Sequence, residues 1–198
     1  MKEEYQVTIH RHKDTGHVSY EGWQTSDHKF YCPTGPAIKC WAKNGEWIRE
    51  EWTNKDGDHY RDGDQPAYLE RDPKSGVIYL EKFYENGLLG RKDKDLPSII
   101  GRDIETGKMI YQGFYLSDQI DRCHRDDQKP AVIQTCPKTD IDYFEAFWTN
   151  DKCLGVIERD KNTGAIIYKG PPTLKHQGGY GIEIGEEHSE HSSFIRHD

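Results

Sequence analysis

Aliphatic residues and methionine are scarce in this chain. Only 33% of its 198 residues are hydrophobic, two are methionine, and 31% are charged. A conventional closed aliphatic core is poorly supplied by such a composition. No run of 18 apolar residues occurs, so no membrane-spanning helix is expected. The opening segment MKEEYQVTIHRHKD has no apolar stretch of the kind that directs secretion. The five cysteines, Cys32, Cys40, Cys123, Cys136 and Cys153, are odd in number and form no CxxC pair. Reduced thiols and a cytoplasmic setting are therefore expected. A basic excess is also lacking. The formal net charge of −8 argues against direct nucleic-acid binding, which needs a basic footprint, and fits a partner with a basic surface. No GxSxG, HExxH, GxGxxG or P-loop pattern is present, so neither an enzyme nor a cofactor is expected.

Aromatic residues, by contrast, reach 12%, and they recur with a period. A glycine is followed seven residues later by a large ring at Gly16–Trp23, Gly45–Trp52, Gly76–Phe83 and Gly107–Phe114, and Asp140–Phe147 repeats the step without glycine. The rings are 29, 31, 31 and 33 residues apart. A period of that size marks a repeat architecture in which stacked neighbours bury the in-frame side chains. Pro36-Ala37, Pro66-Ala67, Pro97-Ser98 and Pro130-Ala131 keep the same frame.

The segments YLERDPKSG (68–76), IIGRDIETG (99–107) and VIERDKNTG (156–164) share the form Arg-Asp-x-x-Thr/Ser-Gly. The Asp side chain caps such a turn and the glycine closes a hairpin. Alternation then resumes two and four residues beyond the glycine, at Val18/Tyr20, Ile78/Leu80, Met109/Tyr111 and Ile166/Tyr168. The ring at position seven is out of phase with these. A β-bulge near positions five and six would return it to their face. A second turn follows each ring, at Ser26-Asp27, Asp56-Gly57, Asn86-Gly87, Ser117-Asp118 and Asn150-Asp151. The pattern predicts an all-β, antiparallel β-meander of about five 30-residue hairpin repeats over residues 1–169, single-layered or curled. Residues 170–198 are expected to form a cap and a flexible acidic and His-rich tail.

The glycines and rings, the turn Asn86-Gly87, and the pairs Tyr60-Arg61 and His124-Arg125 before the Pro-Ala steps resemble the bacterial MORN-variant repeats, including the antitoxin-like YwqK group. The resemblance covers roughly residues 8–165. It implies a β-repeat protein-binding module, in some cases an immunity or antitoxin partner, and it implies no catalytic residues.

Two sets of residues are candidates for contact with a partner. The first is the column five residues past each glycine, Glu21, Glu50, Glu81 and Glu145, with Gln112 in the fourth copy. It reads either as an acidic stripe or, more plainly, as a face on which each glutamate is opposed by a Lys or Arg. The second set is the off-frame rings Trp41, Trp47, Tyr84, Tyr115 and Trp148, which suit an interface better than the in-frame rings assigned to the core. The Asp-rich stretch 54–65 fails as a calcium loop, since His59 and Gln65 stand where Gly and Glu are needed. The tail residues His188, His191 and His197 fall in a segment expected to be flexible, and a specific metal site needs fixed geometry and a second shell, so no metal is expected there. Cys123 and His124 are adjacent on a strand and should face opposite ways. The expected function is occlusion of a partner protein. An acidic decoy of a nucleic-acid-binding protein and a carbohydrate-binding module are the alternatives, and a homodimer through the sheet edges is compatible with each.

Overall fold

The Asp-x-x-Thr/Ser-Gly segments close hairpins. The computed structural model describes residues 3–117, 121–125 and 128–176. In chain order, β1 (Tyr5–Arg11) pairs with β2 (Val18–Thr25), β3 (Ile38–Trp41) with β4 (Trp47–Glu51), and β5 (Tyr68–Arg71) with β6 (Ile78–Lys82). A small hairpin of β7 (Tyr84–Glu85) and β8 (Leu88–Leu89) precedes the pair β9 (Ile99–Arg102) and β10 (Met109–Gly113). A second one, β11 (Tyr115–Ser117) with β12 (Asp121–Cys123), precedes β13 (Val132–Thr135) and β14 (Asp142–Thr149). β15 (Lys152–Arg159) and β16 (Ile166–Gly170) complete the set, followed by a 3-10 turn at Leu174–His176. Twelve strands form one antiparallel sheet in the order β1-β2-β3-β4-β5-β6-β9-β10-β13-β14-β15-β16. The sheet is not closed, and β1 and β16 are its edges. The expected meander of hairpin repeats is the fold. The His-rich tail lies outside the described residues.

The turns use their side chains as the sequence implies. The Asp72 carboxylate accepts the N–H groups of Lys74 (3.0 Å) and Ser75 (2.6 Å), and Asp160 accepts those of Asn162 (3.0 Å) and Thr163 (2.8 Å). Gly76 sits at φ +76°, a region that side chains resist. Asp140 adopts the same left-handed region at φ 58° and donates its N–H to Cys136 O (2.9 Å), so it takes the glycine's place in the fifth turn.

The bulge is not where the phase of the rings suggested. In all six main hairpins the register slips at the third residue past the turn glycine or its substitute: Ser19, Ile48, Tyr79, Ile110, Tyr143 and Ile167. The extra residue lies beside the turn, where it realigns the two strands at the start of the ladder. Beyond it, residues four and six share one face and residues five and seven the other. The ring at position seven therefore joins the glutamate face, opposite the face of Tyr20, Leu80, Tyr111, Phe144 and Tyr168, here called the tyrosine face.

That correction explains the Pro-Ala step. The pairing continues past the strand ends: Trp23 N–H donates to Ala37 O (2.8 Å), Trp52 to Ala67 (2.7 Å), Phe83 to Ser98 (2.8 Å) and Phe114 to Ala131 (2.8 Å). Directly opposed residues share a face. One row thus alternates ring and small residue across the sheet, and Phe147 against Gly155 extends it. Ala37, Ala67 and Ala131 are fully buried because each fills the slot between two rings.

The apolar core lies on the tyrosine face of the later strands. Leu80, Ile99, Tyr111, Val132, Phe144, Ala146 and Val156 pack there under Leu89 and Cys123 of the small hairpins. The leucine, isoleucine, valine and phenylalanine side chains among them each contribute about 1.5–3 kcal/mol when fully buried. Among the in-frame rings expected in the core, Phe83 and Phe114 are buried, whereas Trp23, Trp52 and Phe147 are half-buried.

Candidate partner-binding surfaces

The glutamates of the predicted column form part of one continuous transverse row. It runs Ile9, Glu21, Lys39, Glu50, Leu69, Glu81, Ile100, Gln112, Ile133, Glu145, Ile157 and Lys169, each residue paired with the next. Every glutamate has a partner inside the sheet. Glu50 meets Lys39 Nζ at 2.8 Å, Glu81 meets Arg102 Nη2 at 2.9 Å, and Glu145 meets Arg159 Nη1 at 2.5 Å. Glu21 accepts the indole N–H of Trp23 at 2.7 Å. The side chains of Glu50, Glu81 and Glu145 are only 15–17% exposed. The plainer reading of the column, with each acid opposed by a cation, describes three of its four glutamates.

The predicted off-frame rings divide into two groups. Tyr84, Tyr115 and Trp148 pack against the apolar core, and Tyr84 stacks on His59 with ring centroids 4.6 Å apart. Trp41 and Trp47 are opposed at the turn end of β3–β4 and carry cations, with Lys39 Nζ 5.6 Å from the Trp41 ring and Arg71 5.3 Å from Trp47. All five rings are half-buried.

A third set was half legible. Arg61, Arg91 and Arg125 lie over the in-frame rings Trp52, Phe83 and Phe114 at 4.0, 3.9 and 3.6 Å. Each also donates to a carbonyl of the next Pro-Ala or Pro-Ser step, at Pro66 (3.3 Å), Pro97 (3.4 Å) and Pro130 (3.1 Å). Each arginine so joins ring, loop and next hairpin, with cation–π attraction adding to the contact. Arg61 and Arg125 were visible in the sequence as the residues before the Pro-Ala steps, but their role was not. Cys32 stands at the corresponding place in the first unit, where Tyr5 packs near Trp23 instead, at 6.4 Å.

A polar network occupies the tyrosine face between β3 and β6. Arg49 Nε lies 3.2 Å from Glu51, and His59 Nε2 lies 3.4 Å from the other oxygen of that carboxylate. Glu70 accepts the hydroxyls of Tyr68 and of Tyr79, the latter at 2.5 Å. Burial, and then Glu70, pushes both phenols above their usual range. Burial also raises the Cys40 thiol, against a smaller opposing effect of Arg49. That shift leaves the thiol protonated at neutral pH.

Exposed acid lies at the main-hairpin turns, where Asp14 and Asp140 are 57% and 69% exposed, and on the excursions between main hairpins. Asp56, Asp58, Asp62 and Asp64 of the second excursion are all exposed. The Asp56 and Asp95 side chains are each 76% exposed. Ion pairs cross from one excursion to the next: Lys29–Asp56 at 3.4 Å, Arg91–Asp64 at 2.5 Å and Lys129–Asp95 at 2.9 Å. Among the described residues no three His, Cys, Asp or Glu side chains are grouped to hold a metal. Cys123 and His124 diverge as expected. Burial drives the Cys123 thiol up to about 12, while His124 Nδ1 accepts the Asn150 N–H at 3.2 Å. All five cysteines are free. No described helix is long and apolar enough to cross a membrane. Comparison of the chain with family models, with curated proteins and with solved structures gives no match.

Proposed function

We propose that this chain is a non-enzymatic binding protein of the immunity, antitoxin or inhibitor kind, which occludes a partner protein through its excursion edge. The observation that carries the reading is the contrast in exposure between the two acidic sets. Three of the four column glutamates are half-buried and paired with cations within the sheet, whereas the four aspartates of the second excursion are exposed, Asp56 and Asp64 within reach of Lys29 and Arg91 and Asp58 and Asp62 facing solvent. Arg61 of that excursion is folded onto Trp52 and Lys55 is paired with Glu3 at 2.8 Å, so Asp58 and Asp62, which no Lys or Arg of a neighbouring excursion pairs, carry its outward acidic charge. An acidic edge on a rigid repeat scaffold suits a basic partner surface, steering its approach and setting its register. The MORN-variant resemblance supports the same class of function.

Affinity capture from the native cell, with wild type beside Asp56→Lys/Asp62→Lys, tests it. Wild type should retain a specific protein that is lost on raising salt and that the double variant fails to hold. Equal retention by the variant would remove the excursion edge from the interface. Competition by heparin would narrow the partner to nucleic-acid-binding proteins.

A further inference from the structure

Three of the in-frame rings carry a guanidinium supplied by their own unit, and the first does not. Tyr31, Tyr60, Gly90 and His124 each donate an N–H to the carbonyl of the in-frame ring residue, at Trp23, Trp52, Phe83 and Phe114. The residues that follow them, Cys32, Arg61, Arg91 and Arg125, therefore hold one place in the repeat. The three arginines lie 4.0, 3.9 and 3.6 Å over their rings. Burial lowers the Arg61 guanidinium from its usual value and Glu50 opposes that shift, so ring and column glutamate act on one cation. The fifth ring, Phe147, has no excursion, since β14 turns directly into β15. In the first unit the ring and the glutamate are present without the cation. Among the described residues no Lys or Arg lies over the half-buried Trp23. Tyr5 meets it obliquely, with centroids 6.4 Å apart and planes at 59°, farther than the arginines stand from their rings. Glu21 accepts the Trp23 indole N–H on Oε1 and, alone in its column, has no ion-pair partner among the described residues. Lys39, its cross-strand neighbour, turns to Glu50, and Lys55, 6.0 Å from the Tyr31 ring, is held by Glu3.

We infer that Trp23 and Glu21 form a receptor for one arginine side chain of the partner protein. Its guanidinium stacks on the indole, as Arg61 does on Trp52, and donates to Glu21 Oε2. Its aliphatic stem lies along Val7, which opposes Trp23 on the same face and is 39% exposed. A guanidinium suits this place better than an ammonium, because it is planar, sheds water more readily, and can stack on a ring while forking to a carboxylate. The molecule itself shows the same occupant over three equivalent rings. The site lies at the excursion end of β2, so the inference rests on the reading of that edge as the face that meets a partner, and it names one residue that the partner brings.

Titration of the full chain with N-acetyl-arginine amide and with N-acetyl-lysine amide tests it, read from the indole N–H signals in heteronuclear NMR and assigned with Trp23→Phe and Trp52→Phe. The arginine probe should shift the Trp23 signal saturably and leave that of Trp52, already covered by Arg61, in place. The lysine probe should bind about two- to fivefold more weakly, for want of the stacked and forked contact. Cys32→Arg, which supplies the guanidinium from within, should abolish the shift and release the captured partner, whereas Cys32→Met should do neither. No Trp23 shift at the highest soluble concentration of the arginine probe, or equal shifts at Trp23 and Trp52, would overturn the assignment. So would a captured partner held equally by wild type and Cys32→Arg. Failure of the excursion reading is seen separately, as a partner retained by Asp56→Lys/Asp62→Lys while the arginine probe still moves Trp23.

Discussion

The same positions of the repeat carry opposite chemistry at the two ends of the tyrosine face. Residues four and six past the turn are Tyr111 and Gly113 in the fourth hairpin and Phe144 with Ala146 in the fifth, all buried. In the second hairpin they are Arg49 and Glu51, which form an ion pair. The small hairpins β7–β8 and β11–β12 bring Leu89 and Cys123 down on the later strands. The first two excursions make only single bridges, Gln24 to Phe30 and Thr53 to His59, and the second contributes a polar His59. A fixed backbone unit thus accommodates an apolar core at one end and a network of charged and phenolic side chains at the other. Repeat geometry depends on the turn and the bulge, and the filling of the face is free to vary.

Substitutions at equivalent sites sharpen the contrast. Phe114→Ala should cost about 3–5 kcal/mol in chemical denaturation, because the ring is buried at the margin of the core. Trp23→Ala removes a half-buried ring and should cost clearly less; equal losses would mean that the two halves are packed alike. In the ring row, Ala131→Leu overfills a closed slot and should cost about 1–3 kcal/mol. Ala37→Leu, between the half-buried Trp23 and Trp52, should be better tolerated if those rings can shift.

Arg49→Met should destabilise by about 1–3 kcal/mol, a range reduced because the side chain is 30% exposed and its charge is partly screened. The loss comes from Glu51 left without its cation. A neutral result would show that the network contributes nothing to stability.

The smallest effect concerns pH. A thiol with a raised folded-state value is stabilising while protonated, and that stability is lost as pH climbs above its unfolded value of about 8.5. Cys123, raised to about 12, should therefore give an alkaline loss beginning near pH 9 and continuing toward 12. Cys123→Ala should reduce that loss in urea titrations more than Cys40→Ala does, since Arg49 opposes the shift at Cys40. The reverse order would place the stronger desolvation in the polar half.

The hairpin turns were readable because their chemistry is local. Asp72 caps residues two and three places ahead, and Asn86-Gly87, with both residues left-handed, closes β7–β8. The glutamate column was visible as a spacing, but its partners were not. Arg102 reaches Glu81 from another hairpin, 21 residues away in sequence. The excursion aspartates were noticed only as a failed calcium loop, since nothing in a run of Asp and Gly tells which carboxylates a neighbouring loop will pair.

The sequence by itself determined the unit: its length, its turn residues, its ring and its Pro-Ala step, each set by backbone preferences within a few residues. Tertiary structure decided which face each side chain occupies. A single extra residue in a strand exchanges the two faces from that point on, and its place, three residues past the turn, is set by pairing with the neighbouring strand. That shift put the rings beside the glutamates and set the alanines in the slots between the rings.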